Sequence, residues 1–455
     1  MPVAKTDISW IDEYILNVSE AIFVRETDNL LIKLPNQAFK LNMAGIRLLK
    51  RLLAGEKITE ITKEYGGSES VRRDIHIFFM DLRRLLKSGI DDLYESPAVE
   101  KRPFELGFCR KPVLSEVAVT YRCNIKCRFC YAGCNCTANP AGDDYEMSRD
   151  EIFTVLDHIK EDAEVPSVSF TGGEATLRRD LPELVAHARS LEMRVNLITN
   201  GTAVTRELAA ELVDEGLHSA QVSVEASTPE VHDNITQVKG SHQRSIAGLK
   251  HFINAGIHVH PHATICGLNR NDLANYPTMV RALGLDKFSM NIIIPTGSAL
   301  MHENLVLTYT EIGVVLESII AESEKQGIEF MWYSPTPMCM FNPIVHGLGN
   351  KGCSACDGLI SVGSNGCVLP CASYDEPVGN ILSQPFEEIW DSPQAAAFRD
   401  KFLAHDVCKR CDNFHICNGA CPLYWRSMGF GELERIHNCN TGKLEITSGT
   451  VSTTP

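Results

Sequence analysis

The order of apolar and polar positions divides the chain into three stretches. In the first, to about residue 95, "AIFVRETDNLLIKL" places two short apolar runs on either side of Thr27-Asp28-Asn29, which predicts two strands joined by a turn. "NMAGIRLLKRLLAG" changes to helical spacing, with Asn42 as N-cap and Gly55 as the stop. "ITEITKEYGG" predicts a second helix, closed by Gly66 and Gly67. From about Val71 to Lys87, the residues Ile75, Phe78, Phe79, Leu82, Leu85 and Leu86 recur on one helical face. A hairpin followed by three short helices predicts a winged-helix-like domain over residues 1–95. Residues 96–112 carry charges, prolines and little periodicity, and read as a linker.

The second stretch, residues 113–335, alternates strand and helix patterns. "EVAVT", "SVSFTGG", "RVNLITNG", "SAQVSVEAS", "IHVHPHATI" and "KFSMNIII" are apolar or alternating runs of strand length. Each precedes an amphipathic run of helical spacing, and Ser148-Arg149-Asp150-Glu151 is a capping box at the head of the first. Six βα units predict a parallel sheet with helical crossovers, either doubly wound or an incomplete barrel. In both, chemistry sits at the C-terminal ends of the strands.

The third stretch, residues 336–445, is irregular and contains ten of the seventeen cysteines. It buries too little apolar surface to fold by packing alone, so metal ligation is the expected source of stability. The tail, residues 446–455, is expected to lack structure.

Totals narrow the function. A chain of 455 residues predicts several domains, and 44% hydrophobic residues suit real cores. A net charge of −15 disfavours a nucleic-acid partner. The N-terminus lacks the apolar core of a signal peptide and no apolar run spans a bilayer, so a cytoplasmic protein without membrane attachment is expected. Seventeen cysteines there point to metal binding or redox work rather than a disulfide scaffold.

The densest group is "TYRCNIKCRFCYAGCNC", directly after the first strand of the βα array. Cys123, Cys127 and Cys130 are spaced C-x3-C-x2-C, and no other register in the loop has that spacing. Zinc wants four ligands, typically in C-x2-C pairs, and a ferredoxin cube wants four thiolates. Three thiolates in one loop can hold three irons of a [4Fe–4S] cube and leave the fourth open to a ligand. The run Gly172-Gly173-Glu174 ends the second strand, where glycines let the backbone approach a ligand and a carboxylate can accept from an ammonium.

These two motifs, with Phe129 before the last cysteine, resemble the radical S-adenosylmethionine (SAM) superfamily. The resemblance implies a partial (β/α)6 TIM barrel of α/β class. It implies that Cys123, Cys127 and Cys130 hold the SAM-binding [4Fe–4S] cluster and that Gly172, Gly173 and Glu174 receive the methionine amino group. Ser223 and Glu225, ending the fourth strand, would contact the ribose, and Asn200, ending the third, would join the pocket beside Phe129. It further implies a one-electron donor such as flavodoxin or ferredoxin, reductive cleavage of SAM, and a 5′-deoxyadenosyl radical that abstracts hydrogen from an unactivated carbon.

A second constellation reads Cys356-x9-Gly366-x4-Cys371, then Cys408-x2-Cys411-x5-Cys417-x3-Cys421, then Cys439. A zinc ribbon would return its second pair within about 20 residues, and these pairs lie farther apart. The pattern resembles the SPASM extension, a C-terminal iron–sulfur domain with two auxiliary [4Fe–4S] clusters, which makes three cubes in all. The resemblance implies Cys356, Cys371 and Cys421 on the first, with Cys353, or else Cys339, as the fourth ligand. It implies Cys408, Cys411, Cys417 and Cys439 on the second. Cys109, Cys134, Cys136, Cys266 and Cys367 receive no role, although Cys134 and Cys136 lie close to the first loop in sequence. His258, His260 and His262 alternate along one strand and share a face directed at substrate or at packing.

The first domain resembles the peptide chaperone of pyrroloquinoline quinone biosynthesis, the RiPP recognition element, which binds a leader peptide as an added strand. A nucleic-acid-binding winged helix is the alternative. Together the resemblances imply a maturase that modifies a ribosomally made precursor peptide through its leader, forming a cross-link or an oxidation. Sulfatase-maturing members carry an aspartate after the second SPASM cysteine, where this chain has Ala372, which argues against formylglycine formation. A radical enzyme acting on a small cofactor precursor such as a tetrapyrrole, and a non-enzymatic zinc scaffold, are the competing readings.

Overall fold

The structure, a computed structural model, describes residues 6–88, 109–133, 145–438, 445–447 and 450–452. Cys134, Cys136 and Cys439, and most of the expected linker, lie outside the described residues. The chain forms two compact units, residues 1–114 with 164–167, and residues 115–163 with 168–455.

In the first unit, helix α1 (Ile11–Val18) precedes strands β1 (Ile22–Arg25), β2 (Leu30–Lys33) and β3 (Gln37–Lys40), followed by α2 (Met43–Leu53), α3 (Ile58–Glu64) and α4 (Glu69–Ser88). The expected hairpin is therefore a three-stranded antiparallel meander with a helix before it. The turn after β1 holds a buried ion pair, with Arg25 Nε donating to Asp28 Oδ1 and Nη2 to Oδ2, both at 2.9 Å. Asn42 caps α2 by accepting from Gly45 N at 2.7 Å. Gly45 is small for a packing reason: a Cβ there would stand 2.3 Å from the Phe78 ring. That close approach joins α2 to α4, whose Ile75, Phe78, Phe79, Leu82 and Leu85 are buried in the unit's core.

The second unit is built on one sheet. Its parallel part alternates β4 (Leu114–Thr120), α5 (Arg149–Glu161), β5 (Ser167–Gly172), α6 (Leu181–Ser190), β6 (Arg194–Thr199), α7 (Arg206–Asp214) and β7 (Ser219–Ser223). It continues with α8 (Pro229–Thr236), α9 (Ser241–Asn254), β8 (His258–Ile265), α10 (Tyr276–Ala282), β9 (Lys287–Ile292), α11 (Tyr309–Gln326) and β10 (Glu329–Trp332). The capping box at Ser148 and Glu151 opens α5 as expected. Strands β4 to β10 neighbour one another in strict chain order. A doubly wound sheet reverses its order at a switch point. The unbroken order instead belongs to a partial barrel. Strand β10 adds a seventh parallel strand to the six expected, pairing Glu329 with Lys287.

The cysteine-rich stretch does not stand apart. Its strands β11 (Leu359–Val362), β12 (Cys367–Leu369) and β13 (Gly379–Asn380) extend the same sheet beyond β4, giving ten strands. The remainder is more helical than expected: α12 (Phe386–Trp390), α13 (Pro393–Arg399), α14 (Asp406–Lys409), α15 (Phe414–Cys417), α16 (Pro422–Met428) and α17 (Gly431–Asn438). Contrary to expectation it also buries large side chains, among them Phe386, Trp390, Tyr424 and Trp425. Trp425 Nε1 donates to Gly419 O at 2.7 Å, and Tyr424 OH to Leu307 O at 3.2 Å. Beyond it, in the tail expected to lack structure, β14 (Glu445–Thr447) pairs with β15 (Thr450–Ser452).

Candidate functional site

The loop after β4 is strapped to the C-terminal ends of its neighbours by its own backbone. Gly173 N donates to Thr120 O at 2.7 Å and Glu174 N to Arg122 O at 2.9 Å. Lys126 N and Arg128 N donate to Thr236 O and Ile235 O, at the end of α8. Ser298 N, beyond β9, donates to Cys130 O at 2.9 Å. Gly172 has φ +134°, and a Cβ on it would stand 2.0 Å from Thr120 O; on Gly173 it would stand 2.5 Å from Arg122 O. The absence of a Cβ at both positions lets the backbone of the cysteine loop approach the turn.

That strapping gathers Cys123, Cys127 and Cys130. Burial pushes the Cys123 thiol up to about 11, with Glu174 and Cys130 adding to it. Burial also pushes Cys127 well up, followed by Glu225, Cys130 and Cys123. The three thiols thus share one neighbourhood with two carboxylates. Phe129 packs against Ile235, Cys266, Ile293, Ala299 and Leu305 and holds the loop by apolar contact.

Glu174 is buried, and its carboxylate is occupied. Oε1 accepts from Thr176 N, Thr176 Oγ1 and Thr199 Oγ1, and Oε2 from Asn200 N at 2.7 Å. The carboxylate therefore ties the end of β5 to the end of β6, a role its motif did not reveal. Asn200 continues the chain of contacts. Its Nδ2 donates to Asn124 Oδ1 at 2.9 Å and toward Cys123 Sγ at 3.8 Å, while Oδ1 accepts from Thr202. Ser223 is half-buried at the end of β7, beside His262 in register. Glu225 is buried two residues on, and burial raises its carboxyl to about 7 although Thr264 N donates to it at 2.8 Å.

The three strand histidines diverge in environment. His258 is exposed, His260 half-buried and His262 buried. Burial lowers His260 to about 3 and His262 to about 4, so both are neutral. His262 Nδ1 is 2.7 Å from Ser289 Oγ and its ring stacks on Tyr333. Among the described residues His260 Nε2 is buried without a hydrogen-bond partner. Ser289, Asn291 and Tyr333 were not singled out from the sequence. The signal available was the alternation of Ser289 and Asn291 along "KFSMNIII".

The later cysteines fall into two neighbourhoods. Cys353, Cys356, Cys371 and Cys421 form one: Cys353 acts on each of the other three, and Cys421 acts on Cys371. Cys353 is held in place by Lys401, whose Nζ donates to Cys353 O at 2.8 Å and pairs with Asp357 at 3.1 Å. Cys408 on the short helix α14, Cys411 in the bend that follows it and Cys417 at the end of α15 form the other. Cys339, the alternative for the first group, stands with the second instead: after burial, its thiol responds to Cys417, Cys408 and Cys411. All of these are thiols rather than disulfides. Among the described residues no three His, Cys, Asp or Glu side chains crowd together as they would around a single ion.

The family model of the Radical SAM superfamily matches residues 117–276, and that of the SPASM iron–sulfur cluster-binding domain matches residues 353–412. The chain is a radical SAM enzyme with a SPASM domain. The radical SAM domain spans β4 to α10, and the SPASM match begins at Cys353. The AdoMet-dependent heme synthase of Methanosarcina barkeri is 26% identical over 330 residues, 68% of this chain and 90% of that protein. The PqqA peptide cyclase of Xanthomonas axonopodis pv. citri is 26% identical over 330 residues, 68% of this chain and 82% of that one. Among solved structures, Streptococcus suis SuiB bound to its precursor peptide SuiA shares the fold, with TM-score 0.68 and 16% identity over 89% of this chain and 95% of that one. Enzymes of this kind bind SAM and iron–sulfur clusters. The donors present suit that chemistry: soft thiols, half-buried in the first group, where an amide N–H is directed at Cys123 Sγ. Among the described residues no helix is long and apolar enough to cross a membrane.

Proposed function

We propose that this radical SAM enzyme is a maturase that abstracts hydrogen from a ribosomally made precursor peptide and leaves a new bond, a cross-link or an oxidation, in its place. Cys123, Cys127 and Cys130 would hold the SAM-binding cube. Cys353, Cys356, Cys371 and Cys421 would hold the first auxiliary cube, and Cys408, Cys411 and Cys417 three corners of the second. A cube held by Cys123, Cys127 and Cys130 would supply, when bound, the one-electron chemistry for reductive cleavage of SAM. The chain's own part is to bind, orient and keep water out. Glu174 fixes the ends of β5 and β6 around the pocket, and Glu225 and Ser223 would face the ribose. His262, Ser289 and Tyr333 would offer the substrate neutral hydrogen-bonding groups.

The observation that carries the peptide reading is the reach of the structural likeness. The match to SuiB spans 89% of the chain, whereas residues 115–455 are only about three quarters of it, so the likeness extends into the first unit. SuiB in that structure holds its precursor peptide. In the first unit β3 is a terminal strand of its sheet. An extended leader peptide could pair with such an edge as a further strand.

The tetrapyrrole reading keeps one specific support, the heme synthase among the relatives, aligned over 68% of the chain. Parallel assays of peptide turnover and 5′-deoxyadenosine release separate the two, using a precursor encoded beside the gene. Removing residues 1–95 is expected to stop peptide modification and spare uncoupled SAM cleavage. Normal peptide turnover by the shortened enzyme at low peptide concentration would move the small-molecule substrate ahead. Alanine at Cys123, Cys127 and Cys130 together is expected to stop SAM cleavage in both assays.

A further inference from the structure

We propose that a strip of cations beside the first cysteine loop is the docking surface for a small acidic electron-carrier protein, which delivers electrons directly to that loop. The proposal rests on the reading of Cys123, Cys127 and Cys130 as the SAM-cleaving site and names that site's partner. The starting point is an imbalance of charge. The whole chain has 58 Asp and Glu against 43 Lys and Arg. Residues 121–133 and 234–254 reverse this. Together they carry Arg122, Lys126, Arg128, Lys239, Arg244 and Lys250, and no Asp or Glu. The fold stitches the two segments together. Lys126 N donates to Thr236 O at 2.9 Å and Arg128 N to Ile235 O at 3.0 Å, while Gln237 Nε2 donates back to Lys126 O at 2.5 Å. Arg128 Nε donates to Asn234 O at 3.0 Å, which lays the guanidinium along the end of α8. Arg244, on α9, donates from Nη1 to Lys239 O at 3.4 Å.

The strip is open to a partner. Lys126, Lys239 and Arg244 are exposed and Arg128 is half-buried. Among the described residues none of these four pairs with a carboxylate, whereas Arg122 pairs with Glu146 at 3.1 Å. Asp233, just before the second segment, is taken up by Gly240 N, Ser241 Oγ and His242 N at the head of α9. An ordinary solvated face intersperses both signs of charge. Here Cys127 lies between two cations in sequence, and all three cysteines of the loop keep partial exposure. A positive strip on a strongly acidic chain draws an acidic partner to this edge while the remaining surface repels it, which sets orientation as well as rate. The transfer makes and breaks no bond: the carrier is oxidised by one electron, and the cube held by Cys123, Cys127 and Cys130 is reduced by one. Electrons entering here do not pass through the SPASM domain.

The test uses the anaerobically reconstituted full-length enzyme and two reductants, a reduced acidic flavodoxin and saturating dithionite. Lys239→Glu combined with Arg244→Glu reverses two charges that lie off the cysteine loop. With flavodoxin, SAM cleavage at low salt is expected to fall on the order of tenfold or more, and its decline with added salt to flatten. With dithionite, which needs no docking, the rate is expected to match wild type, as is the iron content. Binding of oxidised flavodoxin, measured by calorimetry at two salt concentrations, is expected to weaken in step and is independent of turnover. Lys239→Gln with Arg244→Gln, which removes the charges without reversing them, is expected to give a smaller loss of the same kind. Equal losses with both reductants at wild-type iron content would assign the cations to the cluster itself and overturn the proposal. Unchanged flavodoxin affinity and salt dependence would overturn it too. So would normal flavodoxin-driven cleavage with weakened precursor-peptide turnover, which would give the strip to the peptide. An iron-loaded wild type that cleaves no SAM even with dithionite would instead refute the reading of the three-cysteine loop.

Discussion

Asn200 directs its side-chain amide at Cys123 Sγ, 3.8 Å away, and its backbone N–H at Glu174 Oε2, 2.7 Å away. One residue at the end of β6 therefore links the first cysteine of the cluster loop to the carboxylate of the Gly-Gly-Glu turn. Hydrogen bonds to sulfur stabilise the more negative, reduced state of an iron–sulfur cluster. Asn200→Leu is expected to move the potential of the cluster at Cys123 to a more negative value, without removing iron. Redox titration followed by electron paramagnetic resonance reads this directly. An unchanged potential would mean that the amide serves only Asn124 and Thr202.

Glu174→Gln puts an NH2 where an acceptor is needed. Whichever way the amide turns, it faces either Asn200 N or the Thr176 and Thr199 donors. Leaving one such buried donor unmatched costs about 1–3 kcal/mol. The variant is expected to melt at a lower temperature than wild type in the absence of SAM. Calorimetry without ligand checks this, since a residue serving SAM alone would leave that melting point unchanged.

Gly172→Ala would place a methyl group 2.0 Å from Thr120 O in a backbone with φ +134°. No rotamer relieves a clash with backbone, so a loss above about 4 kcal/mol is expected. Gly431→Ala, where a Cβ meets nothing within 4 Å, is the control. Soluble yield and iron content of the two variants decide the matter.

His232 and His262 are both lowered to about 4, first by burial and then, for His232, by His242. Their folded-state values lie below the unfolded value of about 6.5. The unfolded chain therefore takes up protons that the fold refuses. Their stabilising effect is complete above pH ~6.5 and falls as pH drops toward 4, by up to about 1.4 kcal/mol per pH unit for each histidine. His262→Gln is expected to flatten the dependence of the apoprotein's melting temperature on pH over this range. An unchanged slope would show that His262 accepts its proton without unfolding.

Much of this was legible because local chemistry agrees with the fold. The capping box at Ser148, the Asn42 cap and the alternation of strands and helices in the βα array are all short-range signals, and the structure reproduces them. The C-x3-C-x2-C spacing located the loop for the same reason. What was missed depends on partners distant in sequence. Strand β3 carries half-exposed residues with little apolar alternation, and β10 is only four residues long. Cys339 has no spacing relation to Cys408, and only the fold brings them together. The bonds of Glu174 to Thr199 and Asn200, on the next strand, are likewise invisible to a motif. The cysteine-rich stretch looked unable to pack because its aromatic residues are scattered, and Tyr424 and Trp425 meet Tyr309 from another part of the chain.

The position of β11 beside β4 has a consequence in time. During synthesis β4 pairs early with β5 on one side, while its other neighbour is made about 240 residues later. At roughly 5–20 residues per second, that edge waits on the order of 12–50 seconds. Glu116 on the same strand waits with it, since its carboxylate later accepts from Ser361 Oγ and Ala372 N. A half-made chain therefore offers the ribosome's surroundings an open strand bearing a carboxylate without its final donors. Slow translation lengthens that exposure, and a chaperone that covers strand edges would shorten it.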